Sequence, residues 1–591
     1  MISIYKEKLQ EATTKYKKLT EKYNFISFLR LIVAVSAIVL IYFCFQNFDV
    51  KSVLSAIFSV VLFLFLVIWH KKVSFSRKLE KSKIEINTDE IRFLENNEYF
   101  SDNGVDFQEE SHSYAYDLDI FGEKSVFHHI NRAKTFLGKK YLASYFLNPE
   151  LNNITENQQS ISELAEKIDW RQHFSALTSQ VNDSANFYEN IKSWTQKKQT
   201  SFPKWIQIFA VISPLLLVTC IILGFVSEAF SFHNWAKLLF LINLIIFGYI
   251  FGVIQRNKIS FEGAYKILYS YKKSIVFIEN SNFESGKLTK IQQKLFQNKE
   301  KTSVLIQKLS YLLDDLDNLG NVFVSIPLNC FTFYHFHTYS RLIRWKNQYA
   351  SQIQDWLDVV GEMEAFISFA NFKYNNPKYV FPEINSDYQI YFEEVGHPLI
   401  VEKQRVTNSV SFTENSFVIL TGSNMSGKST FLRTLGVNML LTAVGLPVCA
   451  KRAVVHPMNI LVSMRLSDSL NDGKSYFFAE IRRIQTIIQK LENQICFVLL
   501  DELLRGTNSE DKQLGTIKII EKIISLKAFG VVATHDIEVC QLAKKYPQII
   551  QNKCFEVEIE NDELHFDYKI RDGVCKNKNA TFLMKKIGII D

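Results

Sequence analysis

The sequence predicts an α + α/β chain: a mostly helical region carrying two transmembrane helical hairpins, followed by a C-terminal P-loop domain on a mainly parallel sheet. Three observations lead there. Four long apolar runs occur as two close pairs. The segments around them show heptad-like apolar spacing with few glycines or prolines. From about residue 387 the texture changes to short β-rich runs alternating with helices, and a glycine-spaced run ending in Lys-Ser-Thr sits among them.

Of 591 residues, 47% are hydrophobic and 22% charged, so most of the chain folds, in two or more domains. The net charge of +7 is compatible with nucleic acid or an anionic membrane surface as partner and requires neither. Eight cysteines are scattered with no CxxC pair, which points away from zinc sites and disulfide frameworks. Reduced thiols in a cytosolic compartment are expected.

The apolar runs are Ile26–Phe45, Val53–Trp69, Trp205–Val226 and Leu238–Ile254. A helix needs about 17 to 25 apolar residues to cross hydrocarbon, and all four qualify. Arg30 lies near the start of the first, where its side chain reaches the interface. Lys15, Lys17, Lys18 and Lys22 precede the first run, and Lys71, Lys72, Arg77 and Lys78 follow the second. Lys197, Lys198 and Lys204 precede the third; Arg256 and Lys258 follow the fourth. The connecting loops hold only Lys51 and Lys237 as cations. Positive charge stays inside, so a multi-pass protein of the cytoplasmic membrane is expected, with both termini and both polar regions in the cytosol. A cleaved signal peptide is not expected, because the first run starts late and a second follows closely.

The layout is then a charged N-terminal helix (1–25), hairpin one (26–72), helical core (73–200), hairpin two (201–256), a second helical core and lever segment (257–385) and the P-loop domain (386–591).

"TGSNMSGKST" fits G-x-x-x-x-G-K-[ST], after a strand and at a helix start. Gly422 and Gly427 let backbone N–H groups turn toward phosphate oxygens, and the helix N-terminus adds positive potential. Lys428 reaches the β- and γ-phosphates, and the Ser429 hydroxyl binds Mg²⁺. "CFVLLDE" ends an apolar strand in two acids: Asp501 holds the metal through water, and Glu502 polarises the attacking water. "ATH" follows another strand and presents His535 to the γ-phosphate.

These elements together resemble the MutS family of mismatch-repair ATPases. TGSNMSGKST is similar to the family's TGPNMGGKST-like run, and "GLPVCA" (445–450) to its GxxVPA element. "SDSLNDGKSYFFAEI" (467–481), "LLDELLRGTNSEDK" (499–512) and "VVATHDIEV" follow in the family's order. Upstream, "TFLGKKYLASYFLNPE" (135–150) resembles the helix that opens the family's core domain, "GHPLI" (396–400) the entry to its ATPase domain, and "ATFLMKKIGI" its closing helix. The resemblance implies an ABC-like P-loop ATPase working as a homodimer. ATP and Mg²⁺ would sit on Gly422, Ser423, Asn424, Met425, Ser426, Gly427, Lys428, Ser429 and Thr430, with Asn408 nearby. Ser475 would reach the γ-phosphate bound by the partner, and Arg505, Gly506 and Thr507 would line the dimer interface.

Departures are as informative. A mismatch-reading N-terminal domain is not expected, since residues 1–72 read as charged helix and membrane segments, and "FGE" (121–123) imitates its wedge only by chance. The aromatic expected to stack on adenine before the P-loop is absent, leaving Val406 or Arg405 to pack on the base. Two readings follow: a membrane-anchored MutS-like ATPase coupled to DNA, or an ATP-driven membrane machine acting on unknown protein partners without DNA. An ABC transporter is disfavoured because no LSGGQ-like run is present.

Overall fold

The computed structural model describes residues 1–46, 49–198, 201–227, 230–257, 263–317, 322–412, 417–423, 425–465, 476–504, 508–560 and 563–575. The N-terminal part is helical: α1 (Ile2–Gln46), α2 (Val50–Asn96), α3 (Val126–Ile130), α4 (Phe136–Leu147), α5 (Ile154–Glu166), α6 (Ile168–Thr178) and α7 (Ala185–Gln196). It continues with α8 (Lys204–Ser227), α9 (Phe230–Asn257), α10 (Ala264–Glu279), α11 (Gly286–Gln293), α12 (Thr302–Asp317), α13 (Val322–Thr332), α14 (Tyr334–Tyr349) and α15 (Ile353–Asn375).

Helices α1 and α2 lie antiparallel. Lys6 pairs with Glu95 at 2.8 Å, Ser27 meets His70 at 2.9 Å, and Ile26 is buried against Leu66 and Val73. Asp49 starts α2 by accepting from the Ser52 N–H, the usual way an orphan helix donor is satisfied. The charged segment 1–25 and the first apolar run form one continuous helix, so position 25/26 changes surroundings and not structure. All four apolar runs lie in helices long and apolar enough to cross a membrane.

The base of this helix pair is riveted to the core. Glu90 of α2, only 2% exposed, pairs with Arg132 and accepts from the side-chain amides of Asn371 (2.8 Å) and Asn375 (3.0 Å) on α15. The Tyr5 hydroxyl of α1 donates to Asn375 at 2.9 Å. A buried carboxylate survives only with such partners.

Helix α15 forms the spine of the helical core, buried along most of its length. Helix α4, N-capped by Thr135, crosses it where Gly361 meets Leu137; a Cβ on Gly361 would stand 2.8–3.0 Å from Leu137 atoms, so only glycine allows the approach. Phe121 of the "FGE" run is buried against Phe107 and Phe127, so it does not project from the surface.

The C-terminal domain comprises β1 (Glu383–Ile384), β2 (Ile390–Val395), β3 (Asn408–Phe412), β4 (Phe417–Thr421), α16 (Lys428–Val444), β5 (Arg452–Val455), β6 (Asn459–Ser463) and α17 (Tyr476–Leu491). It closes with β7 (Cys496–Asp501), α18 (Ser509–Ser525), β8 (Phe529–Thr534), α19 (Leu542–Lys545), β9 (Ile550–Phe555), β10 (Glu558–Glu560), β11 (Glu563–His565) and β12 (Ile570–Asp572). The main sheet has the order β12-β9-β4-β8-β7-β6, parallel throughout except for β12. Strands β4, β7 and β8 are buried at every residue, as expected for a parallel sheet covered on both faces. A second, mixed sheet, β1-β5-β2-β3, departs from the expectation of one mainly parallel sheet, because its short strands carry no distinctive sequence pattern. So the domain holds mixed sheets and not one parallel sheet alone.

Helical core and C-terminal domain share one interface. The Asn157 amide of α5 donates to the Val444 carbonyl at 3.0 Å, and a Cβ on Gly445 would stand 2.6 Å from Asn157 Cβ. Asp117, 2% exposed, accepts from the Met464 and Arg465 N–H groups at 2.9 and 2.6 Å and from Arg483 at 3.2 Å. Burial pushes its carboxyl above the usual range against the pull of those donors.

Candidate functional site

Strand order decides what meets at the carboxyl edge of the main sheet. Because β4, β8 and β7 are adjacent and parallel, the turns leaving all three open on one side. The turn after β4 is the glycine-spaced run, that after β7 carries Asp501–Glu502, and that after β8 carries His535.

In the first turn Gly427 sits at φ +100°, which favours glycine, and α16 begins at the next residue. Lys428 is buried; its ammonium donates to the carbonyls of Gly422 (2.8 Å) and Ser423 (2.9 Å), folding it back over the loop. Ser426 Oγ donates to the Ser423 carbonyl at 2.8 Å, and a Cβ on Gly422 would stand 2.6 Å from that same Oγ. Met425 is exposed at the mouth.

Ser429 Oγ donates to Asp501 Oδ2 at 2.6 Å. The other carboxylate oxygen, Oδ1, is buried without a hydrogen-bond partner among the described residues. A hydroxyl and a carboxylate with a spare buried oxygen suit a hard, oxygen-seeking cation such as Mg²⁺, which keeps several waters and takes few protein ligands. The donor set therefore fits the metal.

Glu502 sits at φ +52° immediately after β7, and its N–H donates to the Ala533 carbonyl at 3.0 Å. That conformation is uncommon for a side chain of its size, and it turns the chain at the carboxyl end of β7. His535 spans two groups: its Nε2 contacts Glu502 Oε1 and its Nδ1 lies 3.2 Å from the Gly422 carbonyl. The acid and the imidazole thus touch above the loop.

A cavity of about 520 Å³ lies against these turns, lined by Ser423, Met425, Ser426, Gly427, Lys428, Ser429, Thr430 and Glu502. That volume suits a drug-sized or nucleotide-sized ligand. Its far wall holds Val406, Asn408, His397 and Tyr568. Among the expected site residues, Asn424 and Ser475 lie outside the described residues, as do Arg505, Gly506 and Thr507. Asp501, His535 and Gly422 stand just behind the lining.

Of the two alternatives for contact with the base, Val406 or Arg405, only Val406 lines the cavity. Arg405 turns away: its guanidinium donates to the Ile400 carbonyl at 2.6 Å and lies over the Tyr379 ring. Val406 remains in the wall. Asn408 lines the cavity, but its side chain is engaged elsewhere, donating to the Tyr568 carbonyl at 3.0 Å and accepting from the Ile570 N–H at 2.9 Å. It holds Tyr568 in place. Tyr568 brings an aromatic ring to this cavity from the far end of the domain, at φ +53° with its ring beside Gly427. No motif surrounds it, so only the 160-residue contact with Asn408 could reveal it.

His397, from "GHPLI", is half-buried in the wall, and desolvation there lowers its pKa to about 4, with Arg433 adding to the effect. The unfolded chain binds a proton at the ordinary 6.5, so the neutral ring's stabilisation is present above that pH and is lost as pH falls through about 4. His397→Gln is expected to flatten the fall in melting temperature across this window, read by thermal scans at stepped pH.

Residues 418–589 match the sequence model of MutS domain V. The DNA mismatch repair protein MutS of Thermotoga maritima is 34% identical over 222 residues, 37% of this chain and 27% of that protein. MutS protein homolog 4 of Homo sapiens is 30% identical over 233 residues, covering 38% of this chain and 24% of its own length. DNA mismatch repair protein MSH4 of Arabidopsis thaliana is 31% identical over 214 residues, or 36% and 27%. The chain spans about a quarter of the length of the curated relatives it matches.

Proposed function

We propose, from the premise that the C-terminal domain is a MutS domain V, that this chain is a membrane-anchored MutS-like ATPase. The observation that carries the reading is the convergence of Lys428, Ser429–Asp501 and Glu502–His535 on one sheet edge beside a nucleotide-sized cavity.

Backbone N–H groups of residues 425–430 bind the phosphates, and Lys428, released from the loop carbonyls, neutralises them. Ser429 and Asp501 would hold Mg²⁺, which supplies charge neutralisation on the phosphate oxygens. Glu502 accepts a proton from water as its oxygen bonds to the γ-phosphorus; the bond to the β–γ bridging oxygen breaks, leaving ADP and phosphate. His535 positions Glu502 and faces the same phosphate. Composite sites in a homodimer, with Ser475 donated in trans, complete the scheme, and nucleotide state then becomes subunit geometry.

The four apolar helices supply the anchor. In α8 and α9 the residues turned inward include Ser213 and Asn243, hydrogen-bonded at 2.6 Å, while Leu215 is 65% exposed. Polar inside and apolar outside is the pattern of helices whose solvent is lipid. The proposed topology places both termini in the cytosol.

Two of these relatives are named as DNA mismatch repair proteins, so coupling to DNA is the first expectation for the polar regions. The rivet of Glu90, Arg132 and Tyr5 between the first helix pair and α15 supports a second reading, in which nucleotide-driven motion reaches the membrane without DNA. ATPase assays of the detergent-solubilised chain with homoduplex, mismatched and branched DNA across a salt series separate the two: salt-sensitive stimulation supports DNA coupling, and its absence supports the second reading.

Tyr568 is the base-contacting aromatic in this scheme. Tyr568→Ala is expected to weaken ATP binding by about 1–3 kcal/mol, the span of an aromatic–base stack, and to leave turnover at saturation little changed. Titration with a fluorescent ATP analogue reads it.

A further inference from the structure

The Asn318–Ser340 stretch contains no Asp, Glu, Lys or Arg, yet its helix α13 is too short to cross a bilayer. At 1.5 Å per residue its 11 residues extend about 16 Å, against a hydrocarbon core of about 30 Å. Its polarity is inverted. Ser325, Asn329 and Cys330 face inward at 3%, 0% and 0% exposure, while Phe323, Val324 and Phe331 face outward at 93%, 56% and 39%. A helix seated on a water-facing surface buries the opposite face.

Helix α13 packs against both α8 and α9. The Asn243 amide on α9 donates to the Cys330 carbonyl at 2.8 Å, and Phe331 lies 6.0 Å from Phe240, ring to ring. The chain then reverses at Phe333, a left-handed residue at φ +46° whose buried ring meets Phe209 of α8. This break leaves little backbone unsatisfied: the Phe333 N–H donates to the Asn329 carbonyl (2.9 Å), and the His335 N–H donates to Asn329 Oδ1 (3.0 Å). Non-helical backbone is tolerated at membrane depth only where protein satisfies it in this way. Asp315 beside Tyr334, with the acidic end of α12, marks the water side.

We infer that α13 is a fifth membrane element, inserted from the cytosolic side beside α8 and α9, with Phe323, Val324 and Phe331 in the acyl layer of that leaflet. It rests on the proposal that α8 and α9 span the bilayer. Its occupant is lipid, because its outward face continues the apolar exterior of that pair and the interior is already filled by its own polar side. The helix enters one leaflet and returns through α14 to the helical core, so movement of the core is felt within the membrane.

The test places nitroxide labels at Phe323→Cys and, separately, Val324→Cys in the full chain reconstituted in phosphatidylcholine vesicles. The background carries Cys44→Ser and Cys220→Ser, since the other six cysteines are buried. Leu215→Cys on α8 is the reference, and retained nucleotide binding verifies folding. Collision with oxygen exceeding collision with a water-soluble nickel chelate at 323 or 324, as at 215, is the expected result. Preference for nickel at both while 215 stays oxygen-accessible overturns the inference and leaves the spanning pair intact. Protection from both reagents assigns the face to a protein partner and also overturns it. Nickel accessibility at 215 itself sinks the spanning proposal, and this inference with it.

Discussion

Glu502→Gln is expected to lower the ATP turnover number by about 10²–10⁴-fold, the range for removing a positioned general base, while ATP affinity changes little. The carboxylate lies at the mouth of the phosphate turn, touching His535, and the amide keeps its shape without accepting a proton. Steady-state phosphate release, paired with equilibrium nucleotide binding, separates the two quantities. Lys428→Ala supplies the contrast: both binding and turnover should fall, because that ammonium is the buried cation of the loop. If Glu502→Gln turned over ATP at the parental rate, the assignment of the base would be wrong. If Lys428→Ala did so, the whole cavity would be misassigned.

Arg132→Met is expected to destabilise the chain by about 3–5 kcal/mol, since it leaves the Glu90 carboxylate buried beside α15 without its paired guanidinium, the buried Arg171 acting on it only from further off. The Arg132 guanidinium also lies 4.8 Å from the rings of Phe93 and Phe100, so methionine keeps some packing but no charge. Adding Glu90→Leu should restore part of the loss, because an apolar pair of similar volume no longer demands desolvation of an ion. The recovery would be incomplete, as Asn371 and Asn375 then lose their acceptor and the buried Arg171 loses a countercharge. Thermal unfolding of the single and double variants in detergent reads both. A parental melting temperature for Arg132→Met would show that the rivet contributes nothing. The same variants probe coupling: loosening α2 from α15 should blunt any nucleotide-dependent change in the first helix pair.

Much of the site was legible in the residues. The glycine-spaced loop, the strand-end Asp501–Glu502 pair and the strand-end His535 each carry their own backbone and chemical requirement within a few residues, and strand adjacency then brings them together. The apolar runs were legible for the same reason, since a continuous stretch without charge needs no partner to declare itself. Helix α13 is not legible in the same way, because its 11 residues fall below the spanning length and only the uncharged stretch around it stands out. Its inverted polarity appears only when Asn243 shows which side faces inward.

The sequence by itself determined the order of the glycine-spaced loop, the strand-end acids and the strand-end histidine, the apolar helices and the α/β rhythm, because these depend on composition and spacing along a short length of chain. Tertiary structure alone decided which aromatic faces the phosphate loop, that Asn408 serves to hold Tyr568, that Arg405 points away, and that α1 begins by anchoring to α15. Those outcomes depend on contacts between residues 160 or, for Tyr5 and Asn375, 370 positions apart. Side chains that remote carry no local preference for one another; packing chooses among partners that the chain alone leaves equivalent.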